Sequence, residues 1–207
     1  MATMHHTPVP AVEDVVYEPE VVRSSAARKA LAALRIGYGL TFLWAFFDKL
    51  FALGFHTGAV VDEATGAKTG TDFMAQGQAW LNGGSPTEGF LKYGVSPDNP
   101  LHGFYNAIAG DAWTNWLFML GLLGIGLALT FGFGMRIAAV SGAVLYTMMY
   151  LAALPWLAAD SNNPLVDDHV IGFIVVIVLA LTLAGDTWGV GKAWAKTHLV
   201  REYPILR

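Results

Sequence analysis

The chain has 207 residues, of which 55% are hydrophobic and only 14% are charged, and its net charge is −4. Soluble domains carry roughly 25% charged residues, so this composition predicts a protein whose surface lies partly in a membrane. The absence of cysteine excludes disulfides, thiol nucleophiles and cysteine-ligated metal or iron–sulfur clusters within the chain. No basic patch interleaved with aromatic residues is present, so no nucleic-acid partner is predicted.

Residues 1–29 precede the first apolar segment and are predicted to be a disordered cytoplasmic tail. They combine prolines with acidic side chains and show no helical period. No apolar run follows a short basic start, so this segment does not match a signal peptide. The adjacent His5 and His6 lie in this tail, where an inert role is predicted rather than metal binding.

Long apolar segments predict four membrane-spanning helices. In the first, Arg35 and Lys49 lie roughly 21 Å apart along the helix, near opposite edges of a hydrocarbon core of about 30 Å. The short turn at 132–134 makes the second and third helices antiparallel neighbours. The predicted fold is an all-α, integral membrane four-helix transmembrane bundle at 30–191, followed by a cytoplasmic tail at 192–207. The predicted spans cover about 30–55, 112–133, 136–157 and 164–185.

The connection at 56–111 is too long for a plain turn and is predicted to contain short interfacial helices. Helical spacing of apolar residues indicates one over 73–81 and another over 101–108. This loop carries few basic residues, whereas the two termini and the turn before the third span are basic. By the positive-inside rule, the loop is extracytoplasmic and both termini are cytoplasmic, in a multi-pass protein of the cell membrane.

The predicted topology brings the end of the first span near the start of the fourth at the outer membrane edge. Asp48, Lys49, Asp167, Asp168 and His169 are therefore candidates for one ionic cluster. A histidine beside carboxylates titrates near neutral pH, which favours catalytic proton or redox chemistry. The alternative is a structural clamp, in which Lys49 pairs with an aspartate and the other residues cap the helix.

Gly142, Tyr146 and Tyr150 recur every fourth residue and therefore share one face of the third span. Aromatic rings beside a glycine can bound a slot for a planar quinone or a lipid tail, although ordinary helix packing explains the same pattern. Arg35 is a candidate contact for a lipid phosphate or a substrate anion. The alternative is that it reaches outward to the cytoplasmic interface. No metal site is predicted.

A set of motifs, in this order and at this spacing, resembles the DoxX/DoxD family of prokaryotic four-helix membrane proteins. The resemblance covers roughly residues 30–191. The motifs are Leu34-Arg35-Ile36-Gly37, Phe42-Leu43-Trp44, Asp48-Lys49-Leu50, Ala79-Trp80-Leu81-Asn82-Gly83-Gly84, Gly121-Leu122-Leu123-Gly124-Ile125-Gly126, Asn163-Pro164-Leu165-Val166-Asp167-Asp168-His169 and Gly185-Asp186-Thr187-Trp188-Gly189.

The resemblance implies a membrane redox setting, because the family includes the membrane subunit of thiosulfate:quinone oxidoreductase. That enzyme oxidises thiosulfate to tetrathionate and passes electrons to membrane quinone. We expect a similar role here, with quinone as electron acceptor and a further protein subunit or homo-oligomer as partner. The sequence has no recognisable cofactor-binding motif. The alternatives are a non-enzymatic anchor or scaffold of a redox or sulfur-stress complex and, third, a small transporter or proton pathway.

Overall fold

The computed structural model describes residues 15–158 and 161–207, which are mostly helical with one small β-hairpin. The strands are β1 (Ala59–Val61) and β2 (Lys68–Thr71), which pair antiparallel. The α-helices of the described residues are α1 (Glu18–Val21), α2 (Ser25–Phe51), α3 (His102–Ile108), α4 (Ala112–Phe131), α5 (Met135–Ala153), α6 (Asp168–Leu181), α7 (Gly191–Ala195) and α8 (His198–Glu202).

Within the described residues, three helices are long and apolar enough to cross a membrane: α2, α4, and α5 with its short 3₁₀ extension to Leu157. The predicted all-α, membrane-type character is thus confirmed. The fourth apolar helix, α6, has 14 residues and begins at Asp168 rather than at 164. It is about 21 Å long, less than the hydrocarbon core of about 30 Å, so a four-span bundle stays a prediction.

Helix α2 packs along α4, α5 packs along α6, and α4 contacts α5. The contact between α2 and α4 is close because glycines face the partner backbone. A Cβ at Gly39 would overlap the backbone of Thr130, and one at Gly126 would lie 3.0 Å from the backbone nitrogen of Leu43. Such small residues let membrane helices approach closely. Met119, Leu129, Val176 and Leu179, all fully buried, belong to the shared core.

The connection between α2 and α4 contains the hairpin β1–β2, which the sequence analysis missed. Helix α3 confirms the predicted helix over 101–108. The helix predicted over 73–81 is wrong, since only a 3₁₀ turn at Trp80–Asn82 forms there. Met74 and Gly77 adopt φ of 58° and 73°, and such left-handed backbone turns the chain instead of continuing a helix.

Asparagine side chains fasten this connection onto the long helices. Asn115 of α4 accepts hydrogen bonds from the hydroxyls of Ser85 and Thr87, at 3.0 and 2.7 Å. Asn99 donates to the carbonyl of Leu151, near the end of α5, at 2.9 Å. The last carbonyls of a helix have no partner within it, so this contact satisfies a group that would otherwise stay unpaired.

The terminal segments are more ordered than predicted. Residues 1–14 of the predicted tail lie outside the described residues, but disorder over 15–29 is wrong. Glu18 is fully buried at the start of α1, and Ser24 caps α2 by accepting from the Ala27 N–H at 3.3 Å. The segment 192–207 contains α8 and folds back on the start of α5, where the Arg136 N–H donates to the Arg207 carbonyl at 2.7 Å.

Candidate functional site

The start of α6 carries a histidine–carboxylate pair. Asp167 has an extended backbone and is the N-cap, because one carboxylate oxygen accepts from the backbone N–H groups of His169 and Val170, each at 3.1 Å. Its other oxygen lies 2.6 Å from Nδ1 of His169. One aspartate therefore begins the helix and orients the imidazole ring at the same time.

The pair is partly open to solvent, with the His169 and Asp167 side chains 22% and 21% exposed. A carboxylate that accepts from Nδ1–H leaves Nε2 as the nitrogen available to bind or transfer a proton. Among the described residues, Nε2 of His169 has no hydrogen-bond partner. The arrangement is that of an oriented acid–base group at the end of an apolar helix.

Tyr146 of α5 lies beside this pair and is held between helices. A Cβ at Gly172 would overlap its ring, so the glycine provides the space into which the ring packs. The ring also meets Phe42 of α2 edge-on at 5.6 Å and lies 6.4 Å from the ring of His169. Its hydroxyl makes no hydrogen bond within 15–158 and 161–207. Tyr146 thus places a phenol next to the histidine.

Gly142 and Tyr150, predicted to line the slot together with Tyr146, have packing roles. A Cβ at Gly142 would meet Val176 of α6 at 3.4 Å, an ordinary contact. The Tyr150 hydroxyl donates to the carbonyl of Leu165 at 3.0 Å. The open apolar groove lies on the neighbouring side of α5 and α6. Its lining residues are Ala143, Val144, Thr147, Met148 and Phe173.

The predicted single ionic cluster does not form, because Asp48 and Lys49 have separate partners. Asp48 is 1% exposed and accepts from the backbone N–H groups of Phe55 and His56, each at 3.0 Å. The Lys49 amine lies 6.0 Å from the ring centre of Phe118. In the part of the chain that the structure describes, no carboxylate comes within 4.0 Å of this amine.

These contacts give Asp48 a structural role, since it fixes the reversal of the chain after α2. Asp168, the remaining member of the predicted cluster, is exposed at the first position of α6. A carboxylate there interacts favourably with the helix dipole. Of the predicted residues, only Asp167 and His169 form a directly bonded pair.

Arg35 is fully buried, so the prediction that it reaches the interface is wrong. Each nitrogen of its guanidinium donates to a backbone carbonyl, which leaves no nitrogen free for a lipid phosphate or a substrate anion. The carbonyls are those of Ala184, Leu129, Thr130, Thr187 and Trp188. The arginine joins the end of α4 to the segment that follows α6.

The sequence analysis missed a second group of charged residues near Arg35, formed by Glu18, Asp186 and Arg207. Glu18 and Asp186 are 0% and 7% exposed, and Arg207 pairs with Asp186 at 3.1 Å. Glu18 lies in the segment predicted to be disordered, and Arg207 lies in the predicted tail. The motif Gly185-Asp186-Thr187 was the available signal, because a carboxylate just after an apolar helix needs a partner.

Comparisons with family models, curated proteins and solved structures found no match to this chain. The resemblance to the DoxX/DoxD family therefore stays a prediction from the sequence. Within the described residues, no group of three or more His, Asp or Glu side chains is placed to hold a metal ion. The features of the described residues that bear on function are the pair Asp167–His169, the phenol of Tyr146 and the apolar groove.

Proposed function

We propose that this protein is the membrane subunit of a quinone-linked oxidoreductase that handles protons at the start of α6. The observation that carries the proposal is the 2.6 Å contact between Asp167 and His169, next to the phenol of Tyr146. Thiosulfate is the electron donor that the family resemblance implies. The electrons reach quinone from a partner subunit or directly from the donor, since the sequence has no recognisable cofactor motif.

We also propose that the chain crosses the cell membrane four times, with both termini in the cytoplasm. Leu165 and Val166 are 66% and 44% exposed just before α6 and extend its apolar surface beyond the helix. Close packing of α6 along α5 supports a crossing beside that helix and antiparallel to it. The basic residues at both termini and near Arg136 support the cytoplasmic assignment.

The chemistry that the pair supplies is proton transfer. Reduction of a quinone to a quinol consumes two electrons and two protons at the quinone oxygens. The imidazole of His169 takes a proton from water and delivers it through Nε2, while the carboxylate of Asp167 stabilises the imidazolium that carries it. The Tyr146 hydroxyl is a second donor on the same side. These roles need the histidine to face an apolar site, because quinone arrives from the lipid.

The groove on α5 and α6 is the apolar site that we propose for quinone. Phe173 follows His169 by one helical turn, so the groove begins on the side of α6 that carries the histidine. Its walls are apolar apart from Thr147, which suits an apolar ring with two carbonyl oxygens. Quinone entering laterally from the bilayer would lie along the groove, with one carbonyl toward the imidazole.

A non-enzymatic membrane anchor is the second candidate, and a specific observation favours it. The buried charges of Arg35 and Asp48 are used to hold backbone segments in place. Charged residues that only stabilise the fold are expected of a scaffold. In that case the pair at Asp167 would be a helix cap and nothing more.

Thiosulfate-dependent reduction of a short-chain quinone by the purified protein in lipid nanodiscs separates the two candidates. For an oxidoreductase, we expect turnover that falls at least about 100-fold in His169→Gln, the lower range for loss of a general acid–base group. His198→Gln is the matched control, because its side chain is 94% exposed and distant in sequence from α6. A folded wild-type protein that shows no turnover either alone or together with its co-purifying partner subunits, or full activity in His169→Gln, would contradict the proposal.

A further inference from the structure

Helix α1 is fastened to the segment after α6 by a buried glutamate. Glu18 is fully buried, and its carboxylate accepts a hydrogen bond from the hydroxyl of Thr187. Its backbone N–H donates to the carboxylate of Asp186 at 3.0 Å. The N-terminal segment is thus joined to a part of the chain that is remote in sequence.

Arg207 also holds the N-terminal segment against Asp186. Its guanidinium donates to the carbonyl of Val16 and to the carboxylate of Asp186, the latter at 3.1 Å. It also lies over the ring of Tyr17, 5.5 Å from the ring centre. Residues 16–18 are therefore held between Asp186 and Arg207. We call this arrangement, formed by 16–18, Asp186, Thr187 and Arg207, the terminal latch.

The buried carboxylate is incompletely paired. One oxygen of Glu18 accepts from Thr187, while the other is buried and has no hydrogen-bond partner in the described part of the chain. An ionised carboxylate buried with an unpaired oxygen is costly, whereas a protonated one is tolerated far better. This geometry favours the neutral acid while the latch is closed.

The surrounding charges modify that preference. Burial raises the pKa of Glu18, the Thr187 hydroxyl lowers it, and the nearby Asp186 raises it again. Arg28 and Lys192 lower it, and the net pKa lies above the ordinary value for glutamate. Two further cations belong to the region: Arg35, whose donors go to carbonyls, and Arg207, which pairs with Asp186.

We propose that Glu18 is a proton-binding site that keeps the terminal latch closed, and that its ionisation releases the N-terminal segment. The step involves one proton only: the carboxyl O–H dissociates, the proton goes to water, and the carboxylate leaves its buried position. Release uncovers Asp186 and Thr187. Proton uptake reverses the step, because the neutral side chain can be buried again.

Asp186 and Thr187 of the latch follow the end of α6, whereas the pair at Asp167 lies at its start, so this inference does not depend on the proposed quinone chemistry. It predicts that the N-terminal segment responds to pH through a single side chain. The chain contains no cysteine, so engineered cysteines can be spin-labelled without background. Val21 of α1 and Val140 of α5 are suitable positions, since they are 48% and 63% exposed.

The test is the distance distribution between spin labels on V21C and V140C in the full chain, measured by pulsed electron paramagnetic resonance. At pH 5 we expect one narrow distribution. At pH 9 we expect a broad one with longer distances. In the Glu18→Gln background, the narrow distribution should persist at both pH values, because glutamine keeps the size of the side chain and cannot ionise.

Glu20→Gln is the matched control. Glu20 belongs to the same helix but is exposed, and its side chain accepts from the Tyr17 N–H, which glutamine can also do. This variant should keep the wild-type pH response. The inference fails if the wild-type distribution is the same at both pH values, if it is already broad at pH 5, or if Glu18→Gln opens at pH 9 like the wild type.

Discussion

Two ionisable side chains at opposite ends of the helical core, His169 and Arg35, are hydrogen-bonded in opposite ways. At the start of α6, His169 is partly exposed and keeps one ring nitrogen free of hydrogen bonds within the described residues. At the other end, Arg35 is fully buried and every nitrogen of its guanidinium donates to a backbone carbonyl. His169 can still form a hydrogen bond to a ligand, whereas Arg35 has no guanidinium nitrogen free to do so.

This contrast shows how a charged residue near a helix end can be interpreted. Proximity to the membrane edge does not distinguish a catalytic group from a structural one, since both ends carry ionisable residues. Hydrogen-bond saturation does distinguish them, because a donor already engaged by carbonyls must break those bonds before it can bind a ligand. By this criterion Asp48, like Arg35, is a structural residue, because its carboxylate accepts hydrogen bonds from backbone N–H groups.

The largest expected effect is that of Arg35→Ala. The change leaves several buried carbonyls unpaired, each worth about 1–3 kcal/mol, so we expect a loss of at least about 4 kcal/mol in the free energy of unfolding. Thermal unfolding in detergent, or the amount of folded protein recovered from membranes, measures it. Arg23→Ala, at an exposed position, should have no effect. A loss below about 1 kcal/mol in the free energy of unfolding would contradict a structural role for Arg35.

The second effect is that of Gly172→Ala at the other end. A methyl group there overlaps the ring of Tyr146, so the ring must shift or α5 and α6 must separate, and overpacking of this kind costs about 1–3 kcal/mol. Gly37→Ala on α2 is the matched control, because nothing lies within 4 Å of the added methyl group. Replacing a helical glycine in open space should be neutral or stabilising. Equal losses in the two variants would contradict the packing of Tyr146 on Gly172.

The sequence predicted the long helices well, because α2, α4 and α5 with its 3₁₀ extension are apolar runs long enough to cross a membrane. It missed the hairpin, since β1 and β2 have three and four residues, too few to show an alternating pattern. At the candidate site it found Asp167 and His169, which are close along the chain. It misplaced Asp48 and Arg35, because their partners are backbone groups, and no pattern of side chains reveals these.

The third prediction separates the two roles of Asp167. Asp167→Ala removes the helix cap and should cost about 1 kcal/mol of stability. Asp167→Ser should restore most of that stability, because serine is an equally good cap, yet it leaves the imidazole of His169 without its carboxylate. If the pair carries the chemistry, quinone reduction stays low in both variants while the stability differs. If Asp167→Ser recovers activity, Asp167 acts only as a helix cap.

The smallest effect concerns the buried end and depends on pH. The pKa of Glu18 is raised in the folded protein, so its contribution to stability is fully present below the ordinary pKa of glutamate and is lost as pH rises through the folded value. Unfolding of the wild type and of Glu18→Gln should therefore diverge as pH rises above the ordinary pKa of glutamate, with the wild type losing stability relative to the variant. Parallel stability curves would mean that Glu18 is ionised in the closed latch. The buried end would then tolerate a charge that is not saturated by hydrogen bonds, and the contrast between the two ends would weaken.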